Sequence, residues 1–189
     1  MTSDWMLREL DVPHEQIVVD VSAGEQNSPE YRAINPMGKV PALVDGDVVV
    51  TETPAICAYL ADKFSEKGLA PPIGSSERGR YYRYLFFPGV TLEPLLSITA
   101  LGVQETRPTS MGWGDMPRVL ASVEAMTPDA GWALGDEFST ADVVFGGALA
   151  FFSEFQLLDA SPRVERYVSR LKERPVSYTH LTLPTTRLV

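Results

Sequence analysis

The 189-residue sequence predicts a small α/β unit followed by an all-α unit. Three observations point there. Ahead of Phe64, short β-branched runs alternate with short helical patterns. Between residues 67 and 76, Gly68, Pro71, Pro72, Gly74 and two serines interrupt every period. Beyond residue 76, apolar residues recur at three-four spacing and strand-like alternation is gone.

In chain order, Trp5–Leu10 reads as a helix and Gln16–Val21 as a β-branched strand. Asn27–Ile34 forms a short helix stopped at Asn35-Pro36, since the residue before proline avoids the α region. Val40–Asp45 and Asp47–Thr51 are two apolar strands about Gly46, an antiparallel hairpin. Thr53–Phe64 carries Ile56, Tyr59, Leu60 and Phe64 on one helical face. The second unit holds helices over Arg78–Gly102, Met116–Met126, Thr140–Phe155 and Pro162–Arg174, with Pro88 and Pro94 bending the first. Ser139-Thr140-Ala141-Asp142 reads as a capping box, the Ser139 hydroxyl accepting from the third helical amide and the Asp142 carboxylate reaching back. Phe138 and Val143 flank it as a hydrophobic staple.

Composition narrows the function classes. Sixteen Lys and Arg stand against 25 Asp and Glu, a net charge of −9, which gives no basic footprint for nucleic acid or an anionic membrane. No apolar run reaches the length of a membrane span and no secretory leader opens the chain. One cysteine excludes an internal disulfide framework and suits a cytoplasmic, reducing compartment. With only His14 and His180 besides Cys57, zinc-ligand spacings are absent and no metal is expected.

The informative stretch is 35–56. Thr53 before Pro54 reads as the N-cap of a helix whose first position is proline, placing its hydroxyl and amide at the positive end, where carboxylates bind. Glu52 beside it offers an acceptor for an ammonium group, so the pair can hold both charges of an amino-acid head. Val40-Pro41 enters a strand with no donor on the proline; a cis bond there would turn the Val40 N–H and C=O outward, to pair with an extended ligand. Together these describe a pocket for a small γ-linked peptide. Cys57 reads as buried packing, and Tyr81, Tyr82, Tyr84, Phe86 and Phe87 as core or interface packing. Trp113 and Trp132 read as packing anchors, Gly146-Gly147 as a close helix approach, and His14 as exposed.

NPMGKVPALVDGDVVVTETPAICAYLADKF resembles the glutathione-binding half of cytosolic, bacterial-type glutathione transferases, and ERGRYYRYLFFPGVTLEP and LGDEFSTADV resemble helices of their second half. The resemblance implies a partial thioredoxin-like domain over 1–64, a linker over 65–76 and an all-helical substrate domain over 77–175. It implies that Lys39, Val40, Pro41, Glu52 and Thr53 bind glutathione as co-substrate, Val40 ahead of a cis Pro41 and Thr53 standing where the family more often has serine. It also implies conjugation of the glutathione thiol to a small electrophile, by a homodimer. A non-catalytic binding or dimerisation module of the same fold is the alternative.

Two departures accompany the resemblance. The family's first strand, central in its sheet and carrying the Tyr, Ser or Cys that activates the thiol, has no counterpart ahead of Trp5, and Thr2 and Ser3 would lie inside the helix. The chain is therefore expected to be truncated, inactive and poorly folded alone. Residues 176–189 lack acidic groups and helical period, and written back as codons they resemble a sequencing adapter, so the tail is expected to be non-native.

Overall fold

A computed structural model of the chain describes residues 2–103 and 109–176. Helix α1 (Thr2–Leu10) starts the chain and buries Trp5, Met6 and Leu10. Helix α2 (Pro29–Ile34) begins where the Ser28 hydroxyl accepts the Tyr31 N–H at 3.1 Å, with Pro29 at a position that needs no donor. Strands β1 (Ala42–Asp45) and β2 (Val48–Thr51) form an antiparallel hairpin in the register Ala42↔Thr51 to Asp45↔Val48. Gly46 at φ 60° supplies the left-handed turn residue. At the far end of β1, Asp45 accepts from Tyr59 at 2.7 Å and from Lys63, which ties the hairpin to α3 (Thr53–Lys63) and holds the carboxyl below its ordinary range.

Gln16–Val21 is not a strand. Among the described residues β1 pairs only with β2, and the segment leaves Ile17 67% and Val18 59% exposed. β-branched content favours extended backbone, but a strand exists only through the ladder that pairs its amides, and no described segment supplies one here. The run is instead diverted at Asp20, whose carboxylate accepts the Ser22 and Ala23 N–H groups at 2.9 and 3.1 Å and closes a turn.

Among the described residues, the second half is built on helices, with one isolated bridge between Trp132 and Gly135. Helix α4 (Glu77–Phe87) passes through a wide π turn at Pro88–Leu92 into α5 (Glu93–Ala100), so Pro88 opens the irregular turn without ending the helix. Helix α6 (Met116–Met126) is capped by Asp115, and α8 (Pro162–Lys172) by Ser161. A second π turn at Asp142–Gly146 leads into α7 (Gly147–Glu154). At its entry the box is present in altered form. The Asp142 carboxylate accepts the Ser139 N–H at 3.0 Å, but the Ser139 hydroxyl meets the Ala141 amide at 3.2 Å, one residue short of the expected position. Asp142 also accepts from the Ala133 N–H and the Tyr167 hydroxyl, both at 2.7 Å, and is fully buried.

The two halves are interlocked through α1. Trp5 packs on Phe138, whose ring also meets Trp132 edge-on at 5.1 Å. Glu9 accepts the Trp5 indole N–H at 2.8 Å and two bonds from Arg174 at 2.9 and 2.6 Å, a bidentate pair joining the first helix to the end of α8. The connection between the halves is pinned as well. Arg78 donates to the Pro71 carbonyl and to Asp62, and the Thr140 amide and hydroxyl both reach the Leu69 carbonyl.

The adjacent glycines serve different neighbours. A Cβ on Gly146 would lie 2.3 Å from Leu171 Cδ1 and 3.2 Å from Tyr167, so only a hydrogen lets α8 seat there. A Cβ on Gly147 would meet Thr2 Oγ1 at 3.4 Å, an ordinary contact. Gly146→Ala is expected to lower stability by about 1–3 kcal/mol through overpacking. Gly147→Ala should be neutral or gain about 0.5–1 kcal/mol from helix propensity. Thermal unfolding of the two variants checks the contrast, and equal behaviour would refute it.

Candidate functional site

The hairpin register assembles the site. Because Ala42 faces Thr51, the residues entering β1 and those leaving β2 lie at the same end of the sheet. Lys39, Val40 and Pro41 stand on one side of that end, Glu52 and Thr53 on the other, so all five predicted residues come together. The Val40–Pro41 bond is cis, and β1 starts only at Ala42, so the Val40 peptide groups lie outside the ladder.

Thr53 does not cap the helix as expected. Glu52 is the N-cap of α3, with Thr53 at the first helical position and Pro54 at the second. Proline is tolerated there because first-turn amides have no acceptor inside the helix. The Ile56 N–H returns to the Glu52 carbonyl at 2.9 Å and closes the turn. Thr53 is half-buried at this positive end, its own amide among the orphan donors.

Glu52 has φ 68° and ψ 118°, outside the regions a side-chain-bearing residue prefers, and no hydrogen bond from its side chain relieves it as a cap. Its carboxylate is exposed beside the helix end. Strain of this kind persists where the surroundings impose it, and it gathers at binding sites. Lys39 is exposed on the opposite side and carries no ion pair among the described residues.

The approach to β1 is held by two residues with no role assigned from sequence, Asn35 in the loop and Tyr31 on α2. Asn35, which ends α2, is 3% exposed and donates to the Lys39 carbonyl at 2.7 Å. Tyr31 donates to the same carbonyl at 2.7 Å, and partial burial pushes its phenol up, keeping the proton on. The signal available in sequence was an Asn-Pro followed two residues on by Gly38, a loop tight enough that a Cβ on Gly38 would sit 3.0 Å from the Gln26 carbonyl oxygen.

A trough of about 560 Å³ runs between β1 and residues 12–19, with Leu7, Ile17, Leu43 and Ile56 among its walls. Of the five site residues only Pro41 lines it, so the Lys39–Thr53 arrangement is an open surface feature beside the trough. Cys57 is buried, its thiol pushed up to about 12 by burial. Tyr81 and Tyr84 are in the core, whereas Tyr82 and Phe86 are exposed with ring centroids 6.2 Å apart. His14 is exposed and bonded to the Val12 carbonyl. The proposed non-native tail lies outside the described residues beyond Val176.

Residues 1–62 match the glutathione S-transferase N-terminal domain. Over 183 residues the chain is 32% identical to glutathione S-transferase hmp2 of Hypomyces subiculosus, an alignment covering 89% of this chain and 86% of that one. The chain belongs to the glutathione S-transferase family. Glutathione S-transferase 1 of Schizosaccharomyces pombe is 30% identical over 203 residues, covering 90% and 85% of the two chains. The structure of a glutathione transferase from Phanerochaete chrysosporium in complex with oxidized glutathione superposes with a TM-score of 0.76 at 26% identity, covering 94% of this chain and 87% of that one. The fold is that of glutathione transferases, a small thioredoxin-like unit with two antiparallel strands and a helical second unit.

Proposed function

We propose that the chain binds glutathione at Lys39, Val40, Pro41, Glu52 and Thr53, as the co-substrate of a transferase. The observation that carries this is the register Ala42↔Thr51, which sets a main-chain segment outside the ladder beside a carboxylate and a positive helix end. In this reading Glu52 takes the γ-glutamyl ammonium. The Thr53 hydroxyl and amide take its carboxylate. The Val40 N–H and C=O pair with the cysteinyl backbone, as a strand edge pairs with a peptide. Lys39 offers a cation to a carboxylate of the same ligand.

The chemistry proposed for the site is attack of the glutathione sulfur on a small electrophile. A carbon–sulfur bond forms, the leaving group departs with its electron pair, and the thiol proton passes to solvent. Tyr82 and Phe86, exposed on α4, present an aromatic face suited to the second substrate. Ser3 is buried in α1, Thr2 packs on Gly147 and Cys57 is buried, so we assign glutathione binding to this site and thiol activation to none of these three. Assembly as a cytoplasmic homodimer is part of the proposal and is supported by family membership.

Titration calorimetry with three ligands tests the binding mode. Glutathione and S-methylglutathione are expected to bind alike, because none of the assigned contacts uses the thiol. Cysteinylglycine, which lacks the γ-glutamyl head, is expected not to bind. Absence of saturable glutathione binding, or equal binding of cysteinylglycine, would overturn the proposal.

A further inference from the structure

The loop entering β1 is wrapped around one buried side chain. Asn35 Oδ1 accepts the Met37 N–H at 3.1 Å while its Nδ2 donates to the Lys39 carbonyl at 2.7 Å. The Gly38 N–H closes the loop on the Asn35 carbonyl at 2.9 Å. With the Tyr31 hydroxyl also at 2.7 Å, the Lys39 carbonyl receives two donors, enough to occupy both of its lone pairs.

That carbonyl shares a peptide plane with the Val40 N–H. The cis bond is the next one along, Val40–Pro41, and the Lys39–Val40 peptide is trans. In a trans peptide the C=O and N–H point in opposite directions and cannot turn independently. Anchoring the carbonyl against Asn35 and Tyr31 therefore directs the Val40 N–H away from both, out of the loop. We infer that Asn35 and Tyr31 are positioning residues, which fix the direction of the Val40 N–H and so its hydrogen bond to the cysteinyl carbonyl of glutathione. This rests on the glutathione-binding reading above and adds to it the two residues that orient its main-chain contact.

Two variants of the full chain test it. Asn35→Asp keeps the acceptor for Met37 but sets an oxygen against the Lys39 carbonyl. Tyr31→Phe removes one hydroxyl and nothing else, and it carries the test if the aspartate variant fails to fold. Two probes are compared by competition: S-methylglutathione, and γ-glutamylmethylamide, which has the amino-acid head but no cysteinyl carbonyl. Losing one hydrogen bond's alignment should weaken S-methylglutathione binding by about threefold to tenfold in Tyr31→Phe, and by about tenfold or more in Asn35→Asp. Affinity for γ-glutamylmethylamide should stay within about twofold, since that probe never uses the amide being aimed. Equal weakening of both probes would mean a general disturbance of the loop and would refute the positioning role. Unchanged binding of both by the variants refutes it too, while leaving the glutathione reading intact. Failure of the unaltered chain to bind S-methylglutathione removes that reading, and the inference with it.

Discussion

Asp142→Ala is expected to lower the stability of the protein by about 3–5 kcal/mol, out of a total that for domains of this kind is about 5–15 kcal/mol. Four donors converge on this one carboxylate: the Ala133 and Ser139 amides and the Ser139 and Tyr167 hydroxyls. Alanine leaves several of them buried without an acceptor, and each such orphan costs about 1–3 kcal/mol. The sum stays below four separate losses because removing the carboxylate also removes the cost of burying its charge. Urea denaturation measures the change directly. A loss below about 1 kcal/mol would show that the donors find other partners.

The sign of the pH dependence separates charge from hydrogen bonding at this residue. Burial pushes the Asp142 carboxyl above its ordinary range, and its four hydrogen bonds pull it only part of the way back. The folded state therefore holds this proton more tightly than the unfolded state. Stability from this group is greatest below the ordinary aspartate value, about pH 4, and is lost as pH rises through the folded value. Asp142→Asn cannot titrate, so the deficit of that variant relative to the parent should shrink between pH 4 and neutrality. A deficit that widens over the same interval would mean that the native state favours the ionised form.

Much of this was legible from spacing, and what was not has identifiable causes. The helices of the second half keep apolar residues at three-four intervals because each buries one face, so Met116–Met126 could be bounded from sequence to the residue. The hairpin followed from β-branched runs on either side of Gly46, and its register brought Val40 next to Glu52 without further help. Gln16–Val21 failed because a β-branched run states a preference for extended backbone and says nothing about a neighbour to pair with. The Thr53 cap failed by one position because proline fits the second helical position as well as the first. Asp142 looked like a local capping residue; its bond to Tyr167, 25 positions later, exists only because α8 packs across Gly146, a tertiary fact that local sequence does not carry. Asn35 was hidden for a related reason, since its side chain works inside a loop that reads in sequence as punctuation.

The clamp at the start of α3 should respond to substitution by large factors. Thr53→Ala removes a hydroxyl from the proposed carboxylate site and is expected to weaken glutathione binding by about tenfold, as loss of a hydrogen bond to a charged group does. Thr53→Ser keeps the hydroxyl and should remain within about twofold. Glu52→Gln keeps shape and loses charge, with a similar tenfold cost, and combining it with Thr53→Ala should reach about a hundredfold if the two grip opposite ends of one amino-acid head. The most discriminating substitution is Glu52→Gly. At φ 68° and ψ 118° a glutamate carries a Cβ strain that glycine lacks, so the variant should be more stable, by up to about 1 kcal/mol, while binding glutathione about tenfold more weakly. Stability and affinity moving in opposite directions is what a strained ligand-binding residue requires. A residue with only a structural role would lose both together or change neither, and either result would remove Glu52 from the site.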